Sequence, residues 1–583
     1  MIKVSDYVIQ FLENLGIKNV FFLSGGMIMH LIDSLRKSNL NAIPVLHEQS
    51  AGIMAEAESI YKTELSVVIV TAGPGILNII TAVSSAYIDG NPLLIIAGQC
   101  KTNDSMKSTG LRQKGIQEVD ALSILKPITK YAVSITKPEK IKYELKKAVK
   151  IALTRRHGPV FIEIPLDIQG KIIDEDTLYN YHIPNISITE IYEEIYSSIK
   201  IINLIKLINN SKKPVILAGN GIRQAGVLNQ FKILISKLKI PVLLTWKSID
   251  FLDENNELYS GRPGSIASRY SNLILQECDL LINISSRLDL PTVAYDYKNF
   301  AKNAIRIMID IDKKEIYKTG FNLYFHTDIR CFLLLLEKKI NKIKIDTTHW
   351  LKYCKELKEK YPIYLPEYKK SDKINPYYFI EILSQCLNPK DIIVPSSSGS
   401  ASEMVCQSFK IKEGQRIICS NGLGSMGFAL PHAIGVAISS KKRIICIEGD
   451  GSFQHNIQEM ELLSRYNLNI KLFIFNNNGY SSIRNTHCKF FNDEYLGCDD
   501  KTGLTFPDIE KISTAYNIPT YKIENQNNLK EDIIKVLNTE GPIICEIIID
   551  ETIQTAPKVL AKTNAEGKIV SGQLEDMWPF LEK

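Results

Sequence analysis

Two short elements far along the chain have the residue types needed to hold a phosphate through a metal ion. A β-branched run, Arg443–Glu448, ends in Gly449-Asp450-Gly451-Ser452, and a second run, Lys471–Phe475, ends in Asn476-Asn477-Asn478-Gly479. Glycines let backbone approach a phosphate closely at a strand end. A carboxylate and an amide oxygen at neighbouring strand ends are hard ligands of the kind magnesium takes, with diphosphate oxygens and water completing its octahedron. Alone, the first element reads better as a tight turn; the pair, each member at a strand end, points to a magnesium–diphosphate site.

A third element lies near the start. Leu46-His47-Glu48-Gln49 precedes a helical stretch, Ser50–Tyr61. A glutamate there can simply complement the helix dipole. It can also serve as a proton relay if a cofactor lies against it, and the residues by themselves leave both readings open.

The elements that must position these groups follow an α/β rhythm. Completely apolar runs at Asn19–Leu23, Ser66–Thr71, Pro92–Ala97 and Val160–Ile164 alternate with amphipathic stretches, which predicts parallel sheets covered on both faces. A polar stretch, 171–196, predicts a linker. Further runs at Pro214–Ala218, Ile240–Thr245, Leu280–Ile284 and Ile305–Ile311 build a second unit, and the Lys/Glu-rich stretch 341–373 reads as a second connector. The last unit carries Ile392–Pro395, Arg443–Glu448, Ile470–Phe475 and Pro542–Ile549, with a helix expected from about Asn456 to Tyr466 and a tail from Ile553 that could be a lid or a packing arm. The fold class is therefore α/β, with three doubly wound domains at 1–175, 195–340 and 372–583. In open sheets of this kind ligands sit beyond the carboxyl ends of the strands, where both metal elements lie.

Bulk properties narrow the function classes. The 583 residues suffice for several cores, and 45% hydrophobic with 23% charged residues is ordinary for a globular protein. A net charge of +6 from 70 basic and 64 acidic residues gives no basic face for nucleic acid or membrane. Eleven cysteines without CxxC spacing argue against a disulfide framework or a zinc site and fit a reducing, cytoplasmic setting. The first residues carry no signal-peptide pattern, and no apolar run approaches the ~20 residues of a membrane span.

Longer stretches carry a family resemblance. HEQSAGIMAEAESIYK, TAGPGILNIITAVSSAYIDGNPLLIIAGQ, IQEVDALSILKPITKYAV and GPVFIEIPLDIQ resemble the N-terminal domain of the acetolactate synthase-like thiamine diphosphate enzymes. SNGLGSMGFALPHAIGVA and GDGSFQHNIQE…NNNGY resemble their C-terminal domain, and PVILAGNGI…IPVLLTW…LLINISSRLD…MIDID their middle one. The resemblance implies a fold of two cofactor domains flanking a central domain, with thiamine diphosphate and Mg²⁺ as cofactors. Glu48 then sits against N1′ of the aminopyrimidine and relays a proton through the cofactor. Asp450, Asn477 and the Gly479 carbonyl ligate the metal, with Gly449, Gly451, Ser452, Gly399 and Ser400 beside the diphosphate. Gly424 offers its carbonyl to the aminopyrimidine, and Met426 props the cofactor into a bent shape, unless it is plain core packing. Gly73, Gln117 and Lys130 match positions close to substrate. FAD is a possible further cofactor, at Gly219, Gly221, Arg287, Asp289, Asp310 and Asp328, although Pro291 replaces an arginine usual in the family. The family also implies a homodimer or tetramer, with Glu48 and Asp450 meeting across a subunit interface.

The implied reaction is decarboxylation of a 2-oxo acid, pyruvate first, and transfer of the acyl unit to an acceptor carbonyl. Where biosynthetic members usually show a Gln-His-Gln-Met-Trp stretch, this chain has Ser396-Ser397-Ser398-Gly399-Ser400-Ala401-Ser402-Glu403-Met404, without the tryptophan, and a usual phenylalanine is replaced by Ile116. These departures fall on the acceptor side. They resemble a branch associated with surface-polysaccharide sugars, in which the acceptor would be a keto-sugar nucleotide. A simple decarboxylase and a non-catalytic regulatory homologue are the other readings; the second would be marked by loss of Glu48, Asp450 or Asn477, and all three are present.

Overall fold

The structure is a computed structural model. It describes the chain except residues 108, 182–187, 319, 492–493, 564–565 and 582–583, and except the side chains of 188–198 and 569. Part of the expected linker 171–196 thus lies outside the described residues. The rest of that stretch includes a strand, Ile172–Ile173, paired antiparallel with Ile2–Lys3, and the start of a long helix, Ile188–Asn210.

Three parallel sheets carry the architecture, of six, five and six strands. The first runs in the order Asn41–Pro44, Asn19–Phe22, Ser66–Val70, Leu93–Gln99, Val160–Pro165, Tyr131–Ser134. The third runs Arg416–Ile417, Ile392–Pro395, Ile444–Gly449, Ile470–Asn476, Ile543–Ile548, Thr520–Ile523. Numbered along the chain within each sheet, both orders read 2-1-3-4-6-5, so the outer domains share one topology. The central strands are buried on both faces, which is why they are rich in Ile, Val and Leu with no polar alternation. The middle sheet is Val242–Leu244, Pro214–Ala218, Leu280–Ile284, Ile305–Asp310, Leu323–His326.

The two outer domains pack directly on each other. One apolar core runs through both, joining Ile53, Met54 and Ala57 of the helix Glu48–Lys62 to Ala433, Ile434 and Ala437 of the helix Ala429–Ser440. Gly435 permits the contact, because a Cβ there would lie 2.3 Å from the Met54 carbonyl oxygen.

Buried ion pairs bolt the middle domain to both neighbours. Asp250 accepts from Arg223 at 2.8 Å and from Arg416 at 2.9 Å, and Arg416 also donates to the carbonyls of Ile60 and Tyr61. Asp89 of the first domain takes Lys247 of the second at 2.6 Å and the Ser420 hydroxyl of the third at 2.7 Å. Burial would raise its carboxyl, but Lys247 and Arg287, with the Ser420 hydrogen bond, hold it below the usual carboxylate range.

Beyond residue 555 the chain is an arm laid on the middle domain. Val559 N–H donates to Ser265 O, Asn272 donates to Leu574 O, Arg269 donates to Met577 O, and Lys302 pairs with Glu575. Of the two roles open to the tail, this contact pattern is that of a packing arm. Among the described residues no helix is long and apolar enough to cross a membrane, and no two cysteines are joined in a disulfide.

Candidate active site

The strand order of the third sheet reverses between Ile392–Pro395 and Ile444–Gly449. Loops leaving the carboxyl ends of two strands diverge there and open a crevice. One loop is Ser396-Ser397-Ser398-Gly399, which enters the helix Ser400–Ser408; the other is Asp450-Gly451-Ser452. The next strand ends at Asn476 and delivers Asn477 and Gly479 to the same edge.

Asp450 organises this edge. Only 4% exposed, its carboxylate accepts the Gly451 N–H at 2.8 Å, the Asn477 N–H at 3.0 Å and the Gly479 N–H at 3.1 Å. Burial pushes its carboxyl up to about 6, and the backbone donors oppose the rise. Asn477 is 5% exposed, and Arg484 holds its carbonyl at 2.7 Å. Gly479 has φ +139°, and a Cβ there would lie 1.9 Å from the Cys498 carbonyl oxygen, so the turn admits glycine alone. The structure thus brings Asp450, Asn477 and Gly479 together. Among the described residues no group of three or more His, Cys, Asp or Glu could hold a metal. One carboxylate, one amide oxygen and one carbonyl instead form a partial oxygen set of the kind magnesium takes when a diphosphate supplies the remainder.

The surroundings fit such a guest. A Cβ on Gly449 would meet nothing within 4 Å, and the nearest atoms to one on Gly399 or Gly424 lie at 3.9 Å. Gly399 has φ +71° and Gly424 φ +67°. The Ser397 hydroxyl is buried without a hydrogen-bond partner. Ser452, expected beside the diphosphate, accepts the Gly427 N–H at 2.8 Å and so ties this loop to the Ser425-Met426-Gly427 turn. Met426 is partly exposed on that turn.

The helix expected from about Asn456 starts earlier and is broken. A short helix begins at Asp450 itself, and Asn456 departs from helical geometry at φ −136°, ψ 31°. The cause is its side chain, which donates to the Gly427 carbonyl at 2.7 Å and to Gln49 at 3.3 Å, and accepts the Ser50 hydroxyl at 2.9 Å. Asn456 therefore joins the Met426 turn to the first turn of the glutamate helix. Only its place just after the glycine motif hinted at this.

Glu48 opens the helix Glu48–Lys62, with His47 as N-cap accepting the Gln49 N–H. It is 6% exposed, and Asn78 donates to one carboxylate oxygen at 2.9 Å. Gly75 brings backbone against the other, since a Cβ there would lie 3.4 Å from it. The neighbouring Thr71 hydroxyl is buried with no partner. Across the domain boundary, Glu459 accepts the Leu46 N–H at 3.3 Å, and burial lifts its carboxyl to about 7. Neither Asn78 nor Glu459 carried a local sequence signal.

Gly73 and Gln117 meet: a Cβ on Gly73 would lie 2.3 Å from Gln117 O, and Gln117 itself has φ +58°. Lys130 does not join them. It precedes the strand Tyr131–Ser134 at the amino end of the sheet, whereas Gly73 follows the carboxyl end of Ser66–Val70. Its ammonium donates to the Ile151 and Thr154 carbonyls at the end of the helix Ile141–Leu153, and burial lowers its pKa to about 8. The long side chain satisfies helix-end carbonyls instead of facing a substrate.

A separate cleft is walled by all three domains. Gly221, Arg287, Asp289 and Asp310 line it together with Arg156, Lys247, Asp89 and Gly422. Asp310 is pushed up to about 6 by burial, and one Asp89 oxygen is buried without a hydrogen bond, with Arg287 4.0 Å away. Gly219 and Asp328 are not among the lining residues. Gly219 packs on Ser285, where a Cβ would come within 2.2 Å of its carbonyl oxygen, and Asp328 caps the helix Ile329–Glu337 and pairs with Arg330.

Comparison with known proteins gives a consistent pattern. Residues 2–124 match the N-terminal TPP binding domain of thiamine pyrophosphate enzymes, 201–336 their central domain and 397–547 their C-terminal TPP binding domain. The chain is 30% identical over 577 residues to the acetolactate synthase large subunit of Lactococcus lactis subsp. lactis, covering 97% of this chain and 96% of the relative. Against the acetolactate synthase large subunit of Cyanidium caldarium it is 31% identical over 593 residues, covering 99% and 98%. Against the acetolactate synthase isozyme 1 large subunit of Escherichia coli it is 28% identical over 558 residues, covering 95% of each.

Proposed function

Since the chain belongs to the thiamine pyrophosphate enzyme family, as a full-length relative of acetolactate synthase large subunits, we propose that it decarboxylates a 2-oxo acid, pyruvate first, and transfers the acyl unit to an acceptor carbonyl. The observation that carries the reading is the joint presence of an oxygen-ligand edge at Asp450, Asn477 and Gly479 and a buried glutamate, Glu48, opening a helix of the other cofactor domain.

When bound, thiamine diphosphate supplies an electron sink for the carbon that loses CO₂ and a nucleophilic carbon for the bond to the acceptor. The protein supplies the rest. Asp450 and Asn477 hold Mg²⁺ through side-chain oxygens, and Gly479 through its carbonyl. Gly399, Ser400, Gly449, Gly451 and Ser452 border the diphosphate, and the free Ser397 hydroxyl is a donor for it. Glu48 takes and returns a proton at N1′ of the aminopyrimidine, oriented by Asn78. The Gly424 carbonyl would accept from the aminopyrimidine, and Met426 would pack against the bound cofactor. Gly73 and Gln117 wall the substrate space.

The active unit is a homodimer or a pair of dimers in this reading, with Glu48 of the partner subunit completing the site. Leu46, Leu77 and Ile116, adjacent to Glu48, Asn78 and Gln117, are all exposed, an apolar rim suited to a second copy. The three-domain cleft suits FAD. Arg156, Lys247 and Arg287 would meet its phosphates, and Asp310 its ribose hydroxyls, with a structural flavin because the transfer has no net redox step. Release of flavin fluorescence on denaturing the purified protein tests this part.

The experiment for the function is product analysis with carbon-labelled pyruvate, alone and with candidate acceptors. Labelled CO₂ with a lengthened carbon chain is expected. CO₂ with free aldehyde as the sole product would make the chain a decarboxylase and overturn the transfer step. A keto-sugar nucleotide belongs among the acceptors, because the stretch Ser396–Met404 lacks the tryptophan usual in biosynthetic members.

A further inference from the structure

The helix Ser400–Ser408 is closed at one end and open at the other. Its amino end is Gly399, with φ +71° and open space where a Cβ would stand, beside the partnerless Ser397 hydroxyl. Its carboxyl end is gripped by the middle domain. Arg262, 2% exposed, donates to the carbonyls of Cys406 at 2.9 Å, Gln407 at 3.3 Å and Phe409 at 2.6 Å. These are carbonyls that the end of a helix leaves without intrahelical partners. No ion pair of Arg262 with a carboxylate occurs among the described residues, so its charge faces the negative end of the helix. Gln407 adds a second grip, donating to Ala267 O and Pro557 O while accepting from Tyr377.

Building on the cofactor reading above, we propose that Arg262 is a positioning residue for the diphosphate. From the middle domain it fixes the far end of the helix whose first-turn amides meet the phosphates. The guanidinium anchored on the negative carboxyl end lets those amides keep a fixed aim in a helix of only nine residues, which is too short to hold its own direction. Arg262 touches neither cofactor nor substrate. Its effect should therefore be on cofactor affinity and not on the chemistry once the cofactor is bound.

The test uses the full-length protein stripped of cofactor, as wild type, Arg262→Met and Arg262→Lys. Thiamine diphosphate and inorganic diphosphate, each with Mg²⁺, are titrated by calorimetry, and kcat is read at saturating cofactor. Arg262→Met should weaken both ligands about tenfold, the upper range for a charge at a helix end, with kcat within about twofold. Arg262→Lys keeps the charge and should recover most of the affinity. A general packing role would lower thermal stability in both variants without this pattern. Folded Arg262→Met with wild-type affinity for both ligands overturns the inference, as does Arg262→Lys binding no better than Arg262→Met. If Arg262→Met does not fold, wild-type-like binding by Arg262→Lys supports the proposal and tenfold loss overturns it. Wild-type protein that binds no thiamine diphosphate sinks the cofactor reading itself, a result distinct from the other outcomes.

Discussion

At the scale of single residues, the site is built from groups kept unsatisfied or constrained. Asp450 spends its carboxylate on three backbone amides, which tie the Asn477–Gly479 turn to the end of the strand Ile444–Gly449. Asp450→Ala should abolish measurable Mg²⁺-dependent cofactor binding in a calorimetric titration while the far-UV spectrum stays native; retained binding would remove Asp450 from the ligand set. Gly479→Ala forces a side chain into a left-handed backbone position against the Cys498 carbonyl. A loss of about 1–3 kcal/mol in chemical denaturation is expected. These loops were legible in the sequence because Gly-Asp-Gly at one strand end followed by Asn-Asn-Asn-Gly at the next is a rare pairing, although each alone is an ordinary turn. Asn78, Asn456 and Glu459 were not, since their roles arise from partners 30, 29 and 413 positions away. Lys130 failed for a different reason: a lysine four carbons long can serve whichever carbonyls are nearest, and here those close a helix.

At the scale of elements, the sequence revealed the strands buried on both faces and hid most of those at the edges; Val242–Leu244, an edge strand that is wholly buried, is the exception. Asn41–Pro44, Tyr131–Ser134, Leu323–His326, Arg416–Ile417 and Thr520–Ile523 all escaped notice, and all are edge strands. An edge strand packs on one neighbour and keeps a solvated side, so its residues need not be continuously apolar. The helix Glu48–Lys62 depends on Glu459 for the loop before it. The Glu459 carboxyl is lifted by burial to about 7, above its ordinary value of 4.5, so the fold favours its protonated form. Its stabilising contribution is present below about 4.5 and is lost as pH rises through about 7. Melting temperatures of wild type and Glu459→Gln should therefore diverge across that window, with the wild type losing stability relative to the variant. Parallel profiles would contradict this.

At the scale of the molecule, the two outer sheets repeat one topology, and both bring glycine-containing loops to the point of strand reversal: Gly73 after Ser66–Val70 and Gly449 after Ile444. The alternation of runs predicted the α/β class but could not show that the outer domains share a core, because helix Ala429–Ser440 is apolar all round and announces burial without a partner. Buried charges hold the middle domain in place. Asp250→Asn leaves Arg223 and Arg416 without their anion, and a loss of about 3–5 kcal/mol is expected, read as a lower midpoint in denaturant. Unchanged stability would mean that the apolar contacts alone seat the domain.

The central claim is that the Glu48 carboxylate activates a thiamine diphosphate whose phosphates are held at the Asp450–Asn477 edge. Substituting Glu48→Gln keeps the shape and the Asn78 contact but removes the proton-accepting group. Cofactor and Mg²⁺ affinity, measured alongside turnover of pyruvate, should stay within about threefold of wild type while kcat falls at least about 100-fold. Wild-type turnover in a Glu48→Gln protein saturated with cofactor would contradict the account.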